Sequence, residues 1–189
     1  MNECQRMARL VSDLLLLTNI DAKANWSLHP KETEVDTLLL EIYDLYYPNA
    51  KKNHHTLRLN LPNEPIPTIW IDRQRLQQAI VILLDNAISY TPSGSEINLT
   101  LLRFSHHLCI KVIDNGPGII EEHKAHIFDR FYRVDSSRHH KEHYGLGLSI
   151  AYEIMQLHHG KLKLEDTPLG GCTFVMTLPL NSASQSISP

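Results

Sequence analysis

Long apolar runs, paired cysteines and an excess of one charge are all missing from this sequence of 189 residues. The longest unbroken apolar run near the N-terminus is Leu14–Leu17, which is too short for a signal peptide or a membrane span. The formal net charge is −3, so the chain as a whole gives no electrostatic reason to bind nucleic acid or a membrane surface. We therefore expect a soluble cytoplasmic domain with no nucleic-acid partner.

Metal-binding patterns are also scarce. The three cysteines, at positions 4, 109 and 172, are too far apart for a CxxC site and do not suggest a disulfide framework. Eight of the twelve histidines form four adjacent pairs, at 54–55, 106–107, 139–140 and 158–159. Neighbouring side chains diverge on a helix and on a strand, so an adjacent pair is a poor chelate. We expect these histidines to lie on the surface without a metal role.

Residues 3 to 21 are predicted to form one helix, because its apolar residues Met7, Leu10, Leu14 and Leu17 follow the 3-4-3 spacing of a heptad seam. A lone helix cannot bury such a stripe. Either a second helix covers it, as in a coiled coil or a four-helix bundle, or the helix folds back on the main domain. The spacing leaves both interpretations open.

The remaining hydrophobic pattern predicts a mixed fold. Helices are predicted over 35–52, 73–89 and 146–159, with Asp72 capping the second and Gly160 as the C′ residue of the third. Strands are predicted over 26–28, 56–61, 69–71, 96–102, 108–113, 161–165 and 172–178. Helices and strands do not alternate as regular βαβ units. We therefore expect an α+β fold, a two-layer sandwich in which helices cover one face of a mixed β-sheet.

The stretch DNGPGI, residues 114–119, contains two glycines and a proline directly after an apolar strand, which is typical of a turn. Asp114 opens this turn. Its carboxylate either bonds its own loop, as in an Asx turn, or accepts a hydrogen bond from a ligand amino group. Gly116 and Gly118 allow a ligand or another backbone segment to approach closely. The stretch alone does not decide between these readings.

Two other stretches have features of a phosphate site. GLGLS, residues 145–149, precedes a predicted helix, and glycine there gives access to the N–H groups of a helix N-terminus, although a loosened loop would look the same. Asn86 lies near the end of an apolar helix, where its polarity alone is unremarkable. An amide oxygen is nevertheless a suitable Mg²⁺ ligand when phosphates supply the others. Walker A and Rossmann fingerprints are absent.

Five motifs occur in one order along the chain: LLDNAISYTP, DNGPGI, FDRFYRVD, GLGLSIA and GGCTFVMTLPL. Their order and spacing resemble the boxes of the ATP-binding catalytic domain of sensor histidine kinases, which has the Bergerat (GHKL) fold shared with gyrase-type ATPases and large heat-shock chaperones. The stretch CQRMARLVSDLLLLTNIDA is similar to the end of the second helix of the kinases' dimerisation hairpin. The resemblance implies a hairpin fragment at 1–24, a catalytic domain at 25–180 and a disordered tail at 181–189.

The resemblance also implies roles for single residues. Asp114 would accept the adenine amino group, Thr173 would assist through water, and Asn86 would coordinate the Mg²⁺ that accompanies ATP. Arg130 or Arg133 would reach the phosphates, and residues 129–144 would form the ATP lid. Tyr90 would lie against the adenine ring, although an ordinary core role fits it equally well. The other implied nucleotide contacts are Asp85, Gly116, Gly118, Ile119, Tyr144, Gly145, Leu146, Gly147 and Leu148.

The chain departs from the family pattern at three positions. Ile82 stands where the first asparagine of the N box is usual, Ser89 replaces a lysine, and His143 replaces the leading glycine of the glycine box. Polar or cationic helpers near the phosphates are therefore missing, and His143, Lys141 or Arg138 could compensate. ATP binding is for this reason a firmer expectation than a full kinase rate.

The implied reaction is transfer of the γ-phosphoryl group of ATP to a histidine of the dimerisation hairpin, for relay to the receiver domain of a response regulator. None of the twelve histidines has the sequence context of that phosphoacceptor. We therefore expect a fragment, monomeric or weakly dimeric, of a membrane-anchored homodimeric kinase. The alternatives are a nucleotide-binding module with low kinase activity and another GHKL-type ATPase.

Overall fold

The computed structural model of the protein describes residues 28–134, 144–168 and 170–180, together with Met7, Val11, Leu15 and Thr18. Those four residues are helical, in agreement with the predicted N-terminal helix. The rest of that helix, the boundary at 24–25, the central part of the predicted lid and the tail at 181–189 lie outside the described residues. None of the described helices combines the length and apolar character that a membrane crossing requires.

Five strands form the main sheet: β2 (Thr56–Asn60), β4 (Glu96–Arg103), β5 (His107–Asp114), β6 (Lys161–Asp166) and β7 (Cys172–Pro179). Their order across the sheet is β2-β4-β5-β7-β6. Strands β2 and β4 are parallel, and the other three pairings are antiparallel, so the sheet is mixed as predicted. A separate two-stranded sheet pairs β1 (Lys31–Thr33) with β3 (Ile69–Ile71) in antiparallel register.

Helices cover one face of the main sheet. They are α1 (Val35–Lys52), α2 (Arg73–Tyr90), the short α3 (Glu121–Lys124) and α4 (Gly147–Leu157). In β4 the residues Ile97, Leu99 and Leu101 are buried beneath the helices, whereas Asn98 and Thr100 alternate with them on the other face. This period of two places an apolar core between the layers and confirms the predicted α+β sandwich.

The first strand of the described part of the chain begins after the predicted strand at 26–28, of which residues 26 and 27 lie outside the described residues. Leu28 is outside any strand, and the strand begins after Pro30, at Lys31, where three residues pair with β3. The prediction of a strand at 26–28 had treated Pro30 as its end. Pro30 instead precedes the strand, a position where its missing N–H interrupts no ladder hydrogen bond.

The end of α4 also differs from the prediction. His159, not Gly160, takes the left-handed backbone conformation after the helix, with φ 54°. Gly160 is required for another reason, since a Cβ there would lie 2.5 Å from the carbonyl oxygen of Thr177 on β7. Glycine therefore allows the chain to pass close to the neighbouring strand.

Two histidines expected on the surface are buried. His55 is 8% exposed and His158 is 5% exposed. His55 Nε2 lies 3.1 Å from the carbonyl oxygen of Ile88, near the end of α2. Adjacent histidines diverge, so in these two pairs His55 and His158 point inward while their neighbours, His54 and His159, remain in solvent.

Candidate functional site

A cavity of about 710 Å³ opens between α2, the turn after β5, the segment following α3 and the beginning of α4. Several elements distant in sequence thus contribute to one site. The lining residues are Asn86, Ala87, Tyr90, Asp114, Pro117, Gly118, Ile119, Ile120, His123, Ile127, Tyr132, Arg133, Val134, Gly145, Leu148, Cys172 and Phe174. Most of these side chains are apolar, and a few polar groups converge among them, which is typical of a small-molecule site.

Asp114 lies at the end of β5 with only 6% of its surface exposed. Its Oδ1 accepts hydrogen bonds from the backbone N–H of Gly116, at 2.9 Å, and of Cys172, at 3.2 Å. Among the described residues no donor reaches Oδ2. The Asx-turn reading and the ligand reading are therefore compatible, because one oxygen holds the turn and the other is available to a donor in the cavity.

Burial raises the pKa of the Asp114 carboxyl, and the hydrogen bonds from Gly116 and Cys172 lower it only in part. The pKa therefore stays above its usual value. Burial and the nearby charges of Asp114 and Asp166 also raise the pKa of the Cys172 thiol, to about 12. This end of the cavity is thus a desolvated environment in which a donor from a ligand would stabilise the Asp114 carboxylate.

Glycine is required where two turns meet beside Asp114. Gly171 has φ 102°, and a Cβ there would lie 2.0 Å from the carbonyl oxygen of Asp114. A Cβ at Gly116 would lie 2.7 Å from Cγ2 of Thr91, the residue after α2. Larger residues at either position would push the turn away from its neighbours, so both glycines shape the wall next to the carboxylate.

The opposite end of the cavity is formed by α2 and the start of α4. Asn86 and Tyr90 occupy successive turns of α2 and line the cavity, while Gly145 and Leu148 flank the first turn of α4. No side chain caps α4 at its N-cap residue, Leu146. The backbone N–H groups of its first turn are therefore suited to an anion.

The beginning and end of the predicted lid meet at this end of the cavity. The N–H of Phe131 donates to the carbonyl oxygen of Gly145 at 2.8 Å. Gly145 has φ 75°, and a Cβ there would lie 2.8 Å from the carbonyl carbon of Phe131. The rings of Phe128 and Tyr152 are 5.4 Å apart, which packs the segment before the lid onto α4. Residues 135–143 of the lid, including Arg138, Lys141 and His143, lie outside the described residues.

The cavity brings together eight of the residues named from sequence: Asn86, Tyr90, Asp114, Gly118, Ile119, Arg133, Gly145 and Leu148. Gly116, Tyr144, Leu146 and Gly147 are adjacent in sequence to lining residues but do not line it themselves. Asp85 is directed toward α1, where its Oδ1 accepts a hydrogen bond from the hydroxyl of Tyr46 at 3.0 Å. Arg130 lies beside α4, with Nη2 3.8 Å from Oε1 of Glu153.

Thr173 faces away from the cavity. Successive side chains on a strand point to opposite faces, and its neighbours Cys172 and Phe174 both line the cavity. The Thr173 hydroxyl lies 2.9 Å from that of Thr167, in the turn before β7. Thr173 therefore does not line the cavity itself, its expected role through water stays a prediction, and Cys172 is the β7 residue on the wall next to Asp114.

Sequence reasoning missed several lining residues, above all His123, Tyr132 and Cys172. His123 Nδ1 lies 2.7 Å from the hydroxyl of Tyr132, so this pair joins α3 to the beginning of the predicted lid. Tyr132 belongs to the quoted FDRFYRVD motif, which was a usable signal. Cys172 likewise belongs to the quoted GGCTFVMTLPL motif, whereas His123 carries no local pattern that would single it out.

The metal-binding capacity of the described residues is small. They contain no cluster of three or more histidine, cysteine, aspartate or glutamate side chains that could hold a metal ion. Asn86 places an amide on the cavity wall, and this amide makes no hydrogen bond with the described residues. One amide oxygen fits a magnesium ion whose other ligands are phosphates and water, which is how Mg²⁺ usually binds beside nucleotides.

Comparison with known proteins gives one family. A family model described as "Histidine kinase-, DNA gyrase B-, and HSP90-like ATPase" matches residues 71–182, which include every lining residue. The adaptive-response sensory kinase SasA of Rippkaea orientalis (strain PCC 8801 / RF-1) is 35% identical over 175 residues. That match covers 92% of this chain and 44% of the relative, so the chain spans less than half of the relative's length.

Solved structures show the same fold. Full-length ShkA in complex with AMPPNP superposes with a TM-score of 0.80 at 25% identity, over 92% of this chain and 35% of that chain. Histidine kinase ThkA in complex with the response regulator protein TrrA superposes with a TM-score of 0.76 at 25% identity, over 94% of this chain and 49% of that chain.

Proposed function

Because the chain belongs to the histidine kinase-, DNA gyrase B- and HSP90-like ATPase family and carries the ATP-binding catalytic domain of a histidine kinase, we propose that it binds Mg²⁺-ATP in the cavity beside Asp114 and donates the γ-phosphoryl group to a histidine of a dimerisation hairpin. The observation that carries this proposal is that the two carboxylate oxygens of Asp114 have different roles. Oδ1 is held by two backbone N–H groups, and Oδ2 remains available to the adenine amino group.

At the base end, apolar walls and one acceptor select the ligand. Ile119, Cys172 and Phe174 line the cavity around Asp114 and would exclude water from the base. In such a site the hydrogen bond from an amino group to a carboxylate is stronger than in water. The raised pKa of Asp114 fits this role, because its Oδ2 gains a donor only when a ligand is bound.

At the phosphate end, the proposed contacts are the side chains of Asn86 and Arg133 and the first turn of α4. The bound Mg²⁺, with Asn86 as its protein ligand, would neutralise charge on the phosphates. The N–H groups of the first α4 turn, at Gly147 and Leu148, would hold phosphate oxygens. Arg130, which lies beside Glu153, is the less suitable of the two candidate arginines in this arrangement.

The reaction follows from positioning and charge neutralisation. A histidine ring nitrogen forms a bond to the γ-phosphorus while the bond from that phosphorus to the β–γ bridging oxygen breaks, leaving ADP. The protein holds the two reactants in line and balances the charge on the transferring group. The acceptor histidine would lie on the dimerisation hairpin.

Hydrolysis by a gyrase-like mechanism fits the site less well. Position 82, one helical turn before Asn86, is the position from which hydrolytic members of the family activate water with glutamate. Here it is Ile82, which is 7% exposed and has no group that could accept a proton. A binding module with low kinase activity remains the second candidate, and it is motivated by the same isoleucine.

The proposed partners follow from the family. SasA, ShkA and ThkA are longer than this chain, and the ThkA structure contains a response regulator protein. We infer that the chain works with a dimerisation hairpin and the receiver domain of a response regulator. We also infer that it belongs to a homodimeric, membrane-anchored kinase and is by itself monomeric or weakly dimeric.

Phosphoryl transfer to a hairpin tests the kinase proposal. A hairpin from the parent kinase, bearing its histidine, is mixed with this chain, Mg²⁺ and ATP labelled at the γ-phosphate. We expect label on the hairpin, no label when its histidine is replaced by glutamine, and weaker label at the same ATP concentration when this chain carries Asp114→Asn. Binding of ATP without any labelled hairpin would reject the kinase proposal in favour of the binding module.

A further inference from the structure

A buried hydrogen-bonded cluster lies outside the nucleotide cavity, at the beginning of α2. Asp72 and His158 are 7% and 5% exposed. Asp72 Oδ1 accepts from the N–H of Arg75 at 3.1 Å and so caps α2, which was predicted from sequence. Its Oδ2 accepts from the N–H of His29 at 3.0 Å, and its own N–H donates to Nε2 of His158 at 3.0 Å.

His158 is held in one tautomer by its two partners. Its Nδ1 lies 2.8 Å from the carbonyl oxygen of Ile154, which can only accept, so Nδ1 carries the proton. Nε2 is then the acceptor for the Asp72 N–H. A single imidazole therefore joins the last turn of α4 to the first residue before α2, across 86 positions of sequence.

The same two helices also approach each other closely at the beginning of α4. Gly147, the first residue of α4, faces Ile82 of α2, and a Cβ at Gly147 would lie 3.2 Å from Ile82 Cγ2. At 1.5 Å per residue the run from Asp72 to Ile82 is about 15 Å, and the run from Gly147 to His158 is about 16.5 Å. The two antiparallel helices are thus in contact at two points, Asp72–His158 and Ile82–Gly147, which lie about equally far apart along each helix. Asn86 lies one helical turn beyond Ile82.

The cluster also holds the leading segment, Leu28–Pro30, through which the chain enters the domain. Its tie is the backbone N–H of His29, which donates to the same carboxylate that caps α2. Burial acts to raise the pKa of Asp72, but this hydrogen bond, the bond from the Arg75 N–H and the nearby charge of Arg75 together lower it below its usual value. The carboxylate is therefore charged at neutral pH and bonds both segments at once.

We propose that Asp72 and His158 are positioning residues that couple the leading segment to the nucleotide site, by fixing the register of α4 against α2. This inference rests on the proposed nucleotide binding. Loss of the hydrogen bond from the His29 N–H to Asp72 would move the first turn of α4 relative to Asn86. Conversely, a nucleotide bound between Asn86 and the first turn of α4 would favour the state in which this hydrogen bond is formed. Coupling of this kind is reciprocal by thermodynamic necessity.

Two substitutions of His158 separate its two hydrogen bonds. His158→Gln can place its amide near the position of Nε2 and keep an acceptor for the Asp72 N–H. His158→Asn can donate to the Ile154 carbonyl from near the position of Nδ1 but cannot reach Asp72. We expect His158→Asn to bind Mg²⁺-ADP about 5-fold to 10-fold more weakly than the unchanged chain by calorimetry, and His158→Gln to bind within about twofold of it.

A second readout responds to coupling but not to general loss of stability. Hydrogen exchange of the His29 and Asp72 amides is measured by NMR with and without saturating Mg²⁺-ADP. In the unchanged chain and in His158→Gln, ADP should slow exchange of both amides, and in His158→Asn the slowing at His29 should disappear. Where neither histidine variant folds, His29→Pro, which deletes the donor, is compared with His29→Ala, which keeps it, and only the proline variant should lose affinity.

The outcomes distinguish this inference from the proposed function. An unchanged chain that binds no ADP would reject the proposed function itself. Normal ADP binding together with ADP-independent exchange at His29, or equal affinities for the asparagine and glutamine variants, would overturn the coupling while leaving nucleotide binding intact.

Discussion

At the scale of single residues, Asp114 serves both the fold and the site with one carboxylate. Two backbone N–H groups hold Oδ1, one from its own turn and one from β7. An asparagine could keep this structural role through its amide oxygen, but its NH₂ group would then face the cavity in place of Oδ2. The structural and the binding role can therefore be separated by one substitution.

Asp114→Asn should weaken binding of ATP while the domain stays folded. Loss of a hydrogen bond to a charged acceptor costs about 1.5–3 kcal/mol, which corresponds to roughly 10-fold to 150-fold in affinity. Calorimetric titration with Mg²⁺-ATP measures the change. Asp44 is exposed on α1, so the control variant Asp44→Asn removes the same charge away from the cavity and should bind ATP normally. Equal affinities of the two variants would remove Asp114 from the site.

The raised pKa of Asp114 also predicts how stability depends on pH. A carboxyl whose pKa is higher in the folded than in the unfolded state binds its proton more readily when folded, so the free energy of unfolding rises as pH falls through the folded pKa toward 3.8. Relative to Asp114→Asn, the unchanged chain should therefore gain stability between pH 7 and pH 4. Urea unfolding of both proteins at several pH values measures this difference. A gain in the opposite direction would mean that the carboxylate is not desolvated.

The residues around Asp114 show what sequence can and cannot provide. Asp114 and its glycines could be identified because the turn is local and has a recognisable composition. The donor from Cys172 lies 58 positions away, and its thiol lines the cavity only because β7 lies beside β5. The orientation of Thr173 was beyond sequence for the same reason, since the face of a strand is set by its pairing.

At the scale of elements, glycines at the meeting of two turns hold the base end of the cavity in shape. Gly171→Ala would place a Cβ 2.0 Å from the Asp114 carbonyl oxygen at a φ of 102°. We expect it to lower the free energy of unfolding by about 3 kcal/mol or more, because overpacking adds to the cost of the left-handed backbone.

Gly94→Ala is the matched control for this prediction. Gly94 has a φ of 90°, but no heavy atom lies within 4 Å of a Cβ placed there. Gly94→Ala should therefore lower the free energy of unfolding only by the backbone cost of about 1 kcal/mol. Urea unfolding at one pH compares the two variants. Similar losses would show that the contact between Gly171 and Asp114 is not what the glycine protects.

Element boundaries were predictable where the signal is local. Asp72 caps α2 as expected, and the strands β2 to β5 and the helices α1 and α2 lie close to their predicted ranges. The short α3 was not anticipated, because four residues with no apolar periodicity give no helical pattern. The burial of His158 was not predicted either, since its partner Asp72 is distant in sequence.

At the scale of the whole molecule, the mixed sheet supports one cavity to which α2, the β5–α3 turn, the start of α4 and β7 each contribute. The order of five motifs anticipated this arrangement better than any motif alone, because together they implied a known fold. The register of α4 against α2 was beyond sequence, since it depends on contacts at both ends of two helices that are separated by more than 50 residues.

The central claim is that the cavity binds an adenine nucleotide through Asp114, and the most direct test compares Mg²⁺-ATP with Mg²⁺-GTP by calorimetry on the unchanged chain. Adenine offers an amino group to Oδ2, whereas guanine presents a carbonyl oxygen at the same position and would leave the carboxylate unpaired. We predict that GTP binds at least about 10-fold more weakly than ATP, the cost of an unmet hydrogen bond to a charged group. Equal affinity for both nucleotides, or no binding of ATP, would contradict the account.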